Sequence, residues 1–225
     1  MIPDVRTVWM VIAAVSLVFG ALQVAVSTLQ RPDRALLVWG AANLAGAAGC
    51  ALLSLRGYVS YGLSVSLANG LIAAYWGLLW AGMREFAGYR VRWPVAAVPA
   101  FAIAAVFQWV APVASNVGVR TLFASIVSIV FTLVMIADAM RAERVEQLMM
   151  RRVLIVVLAT WTLPVVARSV LALTVADSGD IVTTGSVQSI PAMVYLVLAL
   201  MTSIGVLLMV RERLENELAA AAVKD

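Results

Sequence analysis

Arg168 is the residue whose type and position most demand a chemical reason. It is the only charge in the stretch 153–175, which otherwise has the length and composition of a membrane span. A guanidinium placed inside a bilayer costs about 2.5–3.5 kcal/mol on insertion scales. Pro164 lies one helical turn before it and Trp161 two turns before, so the three share roughly one face. Proline in a spanning helix frees a backbone carbonyl and tends to open a kink. An arginine beside such a kink, on an aromatic-bearing face, suits a carboxylate or phosphate clamp. Two structural roles compete: snorkelling to the nearby interface, or a bond to a helix carbonyl, Asn69 or Gln108. By depth, Asn69, Gln108, Gln188 and Tyr195 fall in the same half of their apolar stretches. Each either lines one cavity with Arg168 or satisfies a helix–helix hydrogen bond.

Other chemistries are removed by what the chain lacks. It has no histidine, one cysteine (Cys50) and one lysine (Lys224). An intrachain disulfide is impossible, and no metal site and no cofactor are expected. A retinal protein needs a Schiff-base lysine in its last span, and haem or Met-His-Tyr-Thr sensor bundles need histidine. Asp138 is the only acidic residue near a span, which leaves ion-coupled transport little to work with. No glycine-rich phosphate loop, carboxylate pair or nucleophile–base pairing is present, so no enzymatic activity is expected of these residues. No nucleic-acid partner is expected either.

The elements that must position Arg168 follow from composition. Of the 225 residues, 64% are hydrophobic and 12% charged, with a mean hydropathy of +1.00. A soluble domain is about 45–50% apolar and about 25% charged. Most of the chain must therefore face lipid or lie between lipid-facing helices, in an all-α, polytopic bundle. Charge-free stretches place seven spans at about 7–29, 35–55, 59–83, 93–113, 119–140, 153–175 and 189–210. The fifth takes in Asp138 and the sixth Arg168. Gly40, Ala42, Ala45, Gly46 and Gly49 make span two a close-packing helix. Trp9, Trp39, Trp80 and Trp93 suit interfacial belts, whereas Trp76 and Trp161 lie deeper, as buried packing would have them.

Charge sorts the loops. With the C-terminus in the cytoplasm, that side receives Arg31, Arg34, Arg84, Arg90, Arg92, Arg141, Arg144, Arg151, Arg152, Arg211, Arg213 and Lys224. The other side receives Arg6, Arg56 and Arg120. This positive-inside bias puts the N-terminus outside and the C-terminus in the cytoplasm. The expected location is the bacterial inner membrane, with the lipid bilayer as the first partner.

The last span continues as helix-forming sequence beyond the membrane surface. Leu207, Val210, Leu214, Leu218 and Ala221 recur at steps of three and four, with Glu and Arg flanking them, as in a coiled-coil seam. The segment 208–218, Leu-Met-Val-Arg-Glu-Arg-Leu-Glu-Asn-Glu-Leu, followed by alanines and Asp225, resembles the junction in bacterial membrane-bound diguanylate cyclases. The loop Arg84-Glu85-Phe86-Ala87-Gly88-Tyr89-Arg90 is similar to a cytoplasmic loop of such sensors. In that family the final helix runs into a GGDEF domain opening with Asp-x-Leu-Thr-Gly-Leu. The resemblance implies that Asp225 begins that motif and that the output domain lies beyond this chain, which carries no GGDEF signature.

The expected organisation is a sensory bundle over 1–210 and a signalling-helix stub over 211–225, paired as a parallel homodimer. Its expected function is to relay an external or intramembrane small-molecule or membrane-derived stimulus, through the last helix, to a cyclase making cyclic di-GMP. The rival is a complete small membrane protein, either a transporter of a neutral or anionic solute or a structural subunit.

Overall fold

The computed structural model describes residues 4–29, 33–110, 113, 116–174 and 185–222, with the backbone alone for 171–174 and 185–190. Those residues form seven helices and no strand: α1 (Val5–Leu29), α2 (Arg34–Ser54), α3 (Ala68–Phe86), α4 (Trp93–Trp109), α5 (Val117–Glu143), α6 (Met149–Thr174) and α7 (Gly185–Ala222). A short π-helical stretch, Gly62–Leu67, runs directly into α3. Its bonds reach back five residues, as in Ala68 N–H to Leu63 C=O.

Local sequence sets several of these boundaries. Asp33 caps α2 by accepting from the N–H groups of Ala35 and Leu36, and Asn116 caps α5 by accepting from Val119. Pro94 sits in the first turn of α4, where its missing N–H costs nothing. Beyond α3, Gly88 takes a left-handed backbone (φ 70°). The chain thereby folds back so that Tyr89 N–H reaches the Arg84 carbonyl at 2.8 Å.

Among the described residues, six helical segments are long and apolar enough to cross a membrane: Val5–Leu29, Arg34–Ser54, Gly62–Phe86, Val117–Glu143, Met149–Val170 and Pro191–Ala222. The fourth expected span is shorter than its sequence suggested. Residue 113 was its expected end, but α4 stops at Trp109, where Val110 turns extended (φ −91°, ψ 95°). Its 17 residues cover about 26 Å, against a hydrocarbon core about 30 Å thick.

Packing separates α4 from the rest. α1 packs on α2, α2 on α3, α3 on α5, α5 on α6, α6 on α7, and α7 returns to α1. The six long helices thus close a ring, and α4 lies outside it against α3, with a minor contact to α5. Gly77 makes the α3–α4 contact close: a Cβ there would run into the Ala96 carbonyl. Large apolar side chains including Leu17, Val18, Phe101, Val130, Val156 and Leu163 point outward, as the lipid-facing surface of a multi-pass membrane protein requires.

Inside the ring, Trp39 is 0% exposed. It fits where Gly82 has no side chain, donates to the Leu79 carbonyl at 3.2 Å, and packs on Phe86 at 5.6 Å between centroids. Trp80 is buried too. Neither forms the interfacial belt expected of them, because a glycine slot and a polar partner make burial affordable; Trp93 does stay half-exposed. A buried polar link joins three helices. Asn43 on α2 donates to Gln23 Oε1 on α1 at 2.8 Å and accepts from Ser203 on α7 at 3.4 Å. Each such bond holds ring neighbours in register.

Candidate functional site

The ring encloses a partly open cavity of about 150 Å³, and every one of its six helices contributes to the lining. The contributing positions all lie in the same half of their helices: Trp9 to Ser16 on α1, Gly46 to Leu53 on α2, Asn69 to Trp76 on α3, Val117 to Ser128 on α5, Trp161 to Arg168 on α6, and Tyr195 and Ala199 on α7. Arg56, just after α2, and Val65, in the π-helical stretch, complete it. No residue of α4 takes part.

Arg168 reaches this cavity, as do Trp161, Asn69 and Tyr195. Trp161 is part of a continuous aromatic wall. Its ring lies 5.1 Å from that of Trp76, edge on, and 5.5 Å from that of Tyr195, stacked. The Tyr195 hydroxyl donates to the Pro164 carbonyl at 3.3 Å, so Pro164 touches the site through Tyr195 rather than lining it. Arg168 faces the same hydroxyl and acts on it electrostatically. Its Nε is buried and has no hydrogen-bond partner among the described residues. Asn69 is half-committed, because its amide N–H donates to the Val65 carbonyl at 2.7 Å.

Gln108 is directed elsewhere. Its Oε1 accepts from Ser66 at 2.9 Å and lies over Gly62, so it braces the π-helical stretch against α4. The Gln188 side chain lies outside the described residues.

Two arginines that charge sorting placed in loops also enter the cavity: Arg56 and Arg120. Arg120 is only 7% exposed, donates to the Tyr61 hydroxyl at 2.9 Å, and lies over that ring. Beside it on α5, Thr121, Ser125, Ser128 and Thr132 are all buried. Their steps of four, three and four make a hydroxyl stripe on one helix face. That periodicity is visible in the sequence, and it was the available signal for the α5 wall. Among the described residues, the lining contains three arginines and no carboxylate.

The opposite end of the ring treats charge differently. Asp138 on α5 is 4% exposed and accepts from Trp80 Nε1 at 3.0 Å and from Arg84 at 2.9 Å, with Arg141 at 3.5 Å. Where α7 leaves the bundle, Glu212 accepts from the N–H groups of Met149 and Met150 at 2.7 and 2.9 Å. A carboxylate from α7 thereby caps the first turn of α6. Arg213 donates to both oxygens of Glu146, donates to the Phe86 carbonyl at 2.7 Å, and lies 3.6 Å over the Phe86 ring. Arg151 completes the cluster, 2.9 Å from Glu146. The Arg213 hydrogen bonds, with those of Arg151, hold the Glu146 carboxyl below its ordinary value, against the opposing effect of partial burial.

The seam residues separate at this point. The face of α7 buried in the bundle runs Tyr195, Leu198, Thr202, Val206, Met209, and one more turn brings it to Arg213. Leu207, Val210, Leu214 and Leu218 lie one residue ahead, about 100° around the helix. Leu207 and Val210 pack partly against the core, whereas Leu214, Leu218 and Ala221 are exposed. No protein-family model, curated protein or solved structure matches the chain.

Proposed function

We propose that this chain is the sensory and dimerising module of a bacterial inner-membrane signalling protein, with the cavity end outside and the α7 exit in the cytoplasm. The observation that carries the reading is a single uninterrupted helix. α7 supplies Tyr195 and Ala199 to the cavity wall and, at its other end, Glu212 and Arg213 to the cluster that fixes its exit. Its 38 residues extend about 57 Å, roughly twice the hydrocarbon thickness. A stimulus in the cavity that favours one position of Tyr195 over another therefore acts on a rod whose far end is held by a small set of charged bonds. Transmission needs two bundle arrangements that the stimulus binds unequally. A difference of about 1–3 kcal/mol suffices for a working switch.

The exposed seam at Leu214, Leu218 and Ala221 supports a parallel homodimer through the emerging helix. The cyclase-like junction at 208–218 supports a diguanylate cyclase as the output. The test is cyclic di-GMP production by the gene product expressed from its complete reading frame. Production above background, altered by Arg213→Ala at equal membrane level, supports the proposal. No production, together with solute uptake into proteoliposomes, would replace it with a transporter.

A further inference from the structure

We propose that the cavity binds an uncharged aromatic compound of one ring and one polar oxygen, the size of phenol; this rests on reading the cavity as the stimulus site. Size limits the ligand first. A cavity of about 150 Å³ matches the engineered apolar cavities that take up one benzene molecule.

The wall selects the ring. Trp161 on α6 stands between Trp76 on α3, edge on at 5.1 Å, and Tyr195 on α7, stacked at 5.5 Å. Three helices thus present one aromatic surface, and Ile12, Ile72 and Val165 extend its apolar part. An aromatic ligand gains edge and stacking contacts there beyond the area it buries. A saturated ring of the same size gains the area alone.

The charge of the ligand follows from how the arginines are used. A cation would sit among three guanidiniums with no carboxylate among the described lining residues, so this aromatic wall is no cage for an ammonium group. Nor do the guanidiniums call for an anion. Arg120 donates to the Tyr61 hydroxyl at 2.9 Å and lies over that ring. Arg56 is engaged within the protein as well, and Arg168 is directed at the Tyr195 hydroxyl. An anion loses its hydration on entry and needs uncommitted donors to replace it. The buried Arg168 Nε has no partner among the described residues. One such N–H matches a single neutral oxygen, whereas a carboxylate takes a fork of two donors.

Tryptophan fluorescence reads occupancy, because Trp9, Trp76 and Trp161 all line the cavity. The purified chain in nanodiscs is titrated with phenol, and with benzoate, benzylammonium and cyclohexanol as the anion, the cation and the saturated ring. Phenol gives a saturable change. Benzoate binds at least about tenfold more weakly, for want of replaced hydration. Cyclohexanol is about twofold to tenfold weaker than phenol, the loss of the aromatic contacts. Benzylammonium gives no saturable change at millimolar concentration. Ala199→Phe fills the cavity while keeping every tryptophan, and it abolishes the phenol response. Val98→Phe, on the exposed surface of α4 and outside the lining, leaves the response unchanged. If Ala199→Phe does not fold, the four compounds on the unaltered chain decide the matter.

Benzoate, benzylammonium or cyclohexanol binding as tightly as phenol would overturn the assignment, as would a phenol response that is absent or survives in folded Ala199→Phe. Cyclic di-GMP output that depends on Arg213 without phenol binding defeats the ligand and leaves the sensor standing. Phenol binding by a gene product that makes no cyclic di-GMP supports the ligand and defeats the sensor.

Discussion

The two ends of the helix ring use arginine in opposite ways. At the α7 exit, guanidiniums meet carboxylates: Arg84 and Arg141 at Asp138, Arg213 and Arg151 at Glu146, Arg152 at Glu143. At the cavity end, Arg56, Arg120 and Arg168 share a lining in which the described residues include aromatic rings and hydroxyls and no carboxylate. The same side chain is a fastener where carboxylates of the fold surround it, and at the cavity end it lies among rings and hydroxyls. The difference lies in what surrounds each arginine, and substitutions at the two ends should separate stability from binding.

The largest effect is expected at Asp138. Asp138→Leu leaves the buried Trp80 N–H without its acceptor and takes the carboxylate from the half-buried Arg84, and breaking a pair of this kind costs about 3 kcal/mol. Unfolding of the purified chain in detergent measures the loss. Glu212→Ala should remove about 1–2 kcal/mol locally by uncapping α6. Hydrogen exchange at Met149 and Met150 should accelerate while the cavity-end helices keep their protection.

Acid probes the same end more gently. The Glu146 carboxyl is held below its unfolded value, so the stability it contributes is fully present above the unfolded carboxylate range and disappears as pH falls through the folded value. Lowering pH through that window should release α7 at Arg213, seen as faster exchange around Arg213 with the ring intact. Glu146→Gln should abolish that step.

Arg168→Leu tests the other end. A stability change within about 0.5 kcal/mol is expected, because the residue serves the cavity more than the packing. A loss as large as that of Asp138→Leu would erase the distinction between the two ends. The smallest effect belongs to the exposed pair Arg211–Glu215: Arg211→Gln should cost about 0.3–0.5 kcal/mol, and less in high salt.

Much of this arrangement can be read from the sequence, and the failures share a cause. Hydropathy locates the apolar helices because lipid imposes one composition on each of them, and depth along a span groups Arg168, Trp161, Asn69 and Tyr195, which line one cavity. Depth carries no angle. Gln108 has the right depth and points to Ser66, while Arg56 and Arg120, read as loop charges, turn inward. The exclusion of α4 from the ring is equally hidden. Its residues are as apolar as those of its neighbours, and the reason it is peripheral lies in which helices have a second partner. The leucine seam of α7 lies one residue ahead of the stripe that faces the bundle, an offset that only packing against α6 and α1 reveals.

Closure of the ring has a consequence for biogenesis. The chain is synthesised from its N-terminus, and helices enter the membrane in that order. The contact of α1 with α7 joins the first-made helix of the ring to its last-made one, so the ring stays open until α7 has been inserted. Tyr195 and Ala199 are therefore the final pieces of the cavity wall to arrive. A ribosome that stalls before α7 leaves a membrane-integrated intermediate whose cavity lacks its α7 wall.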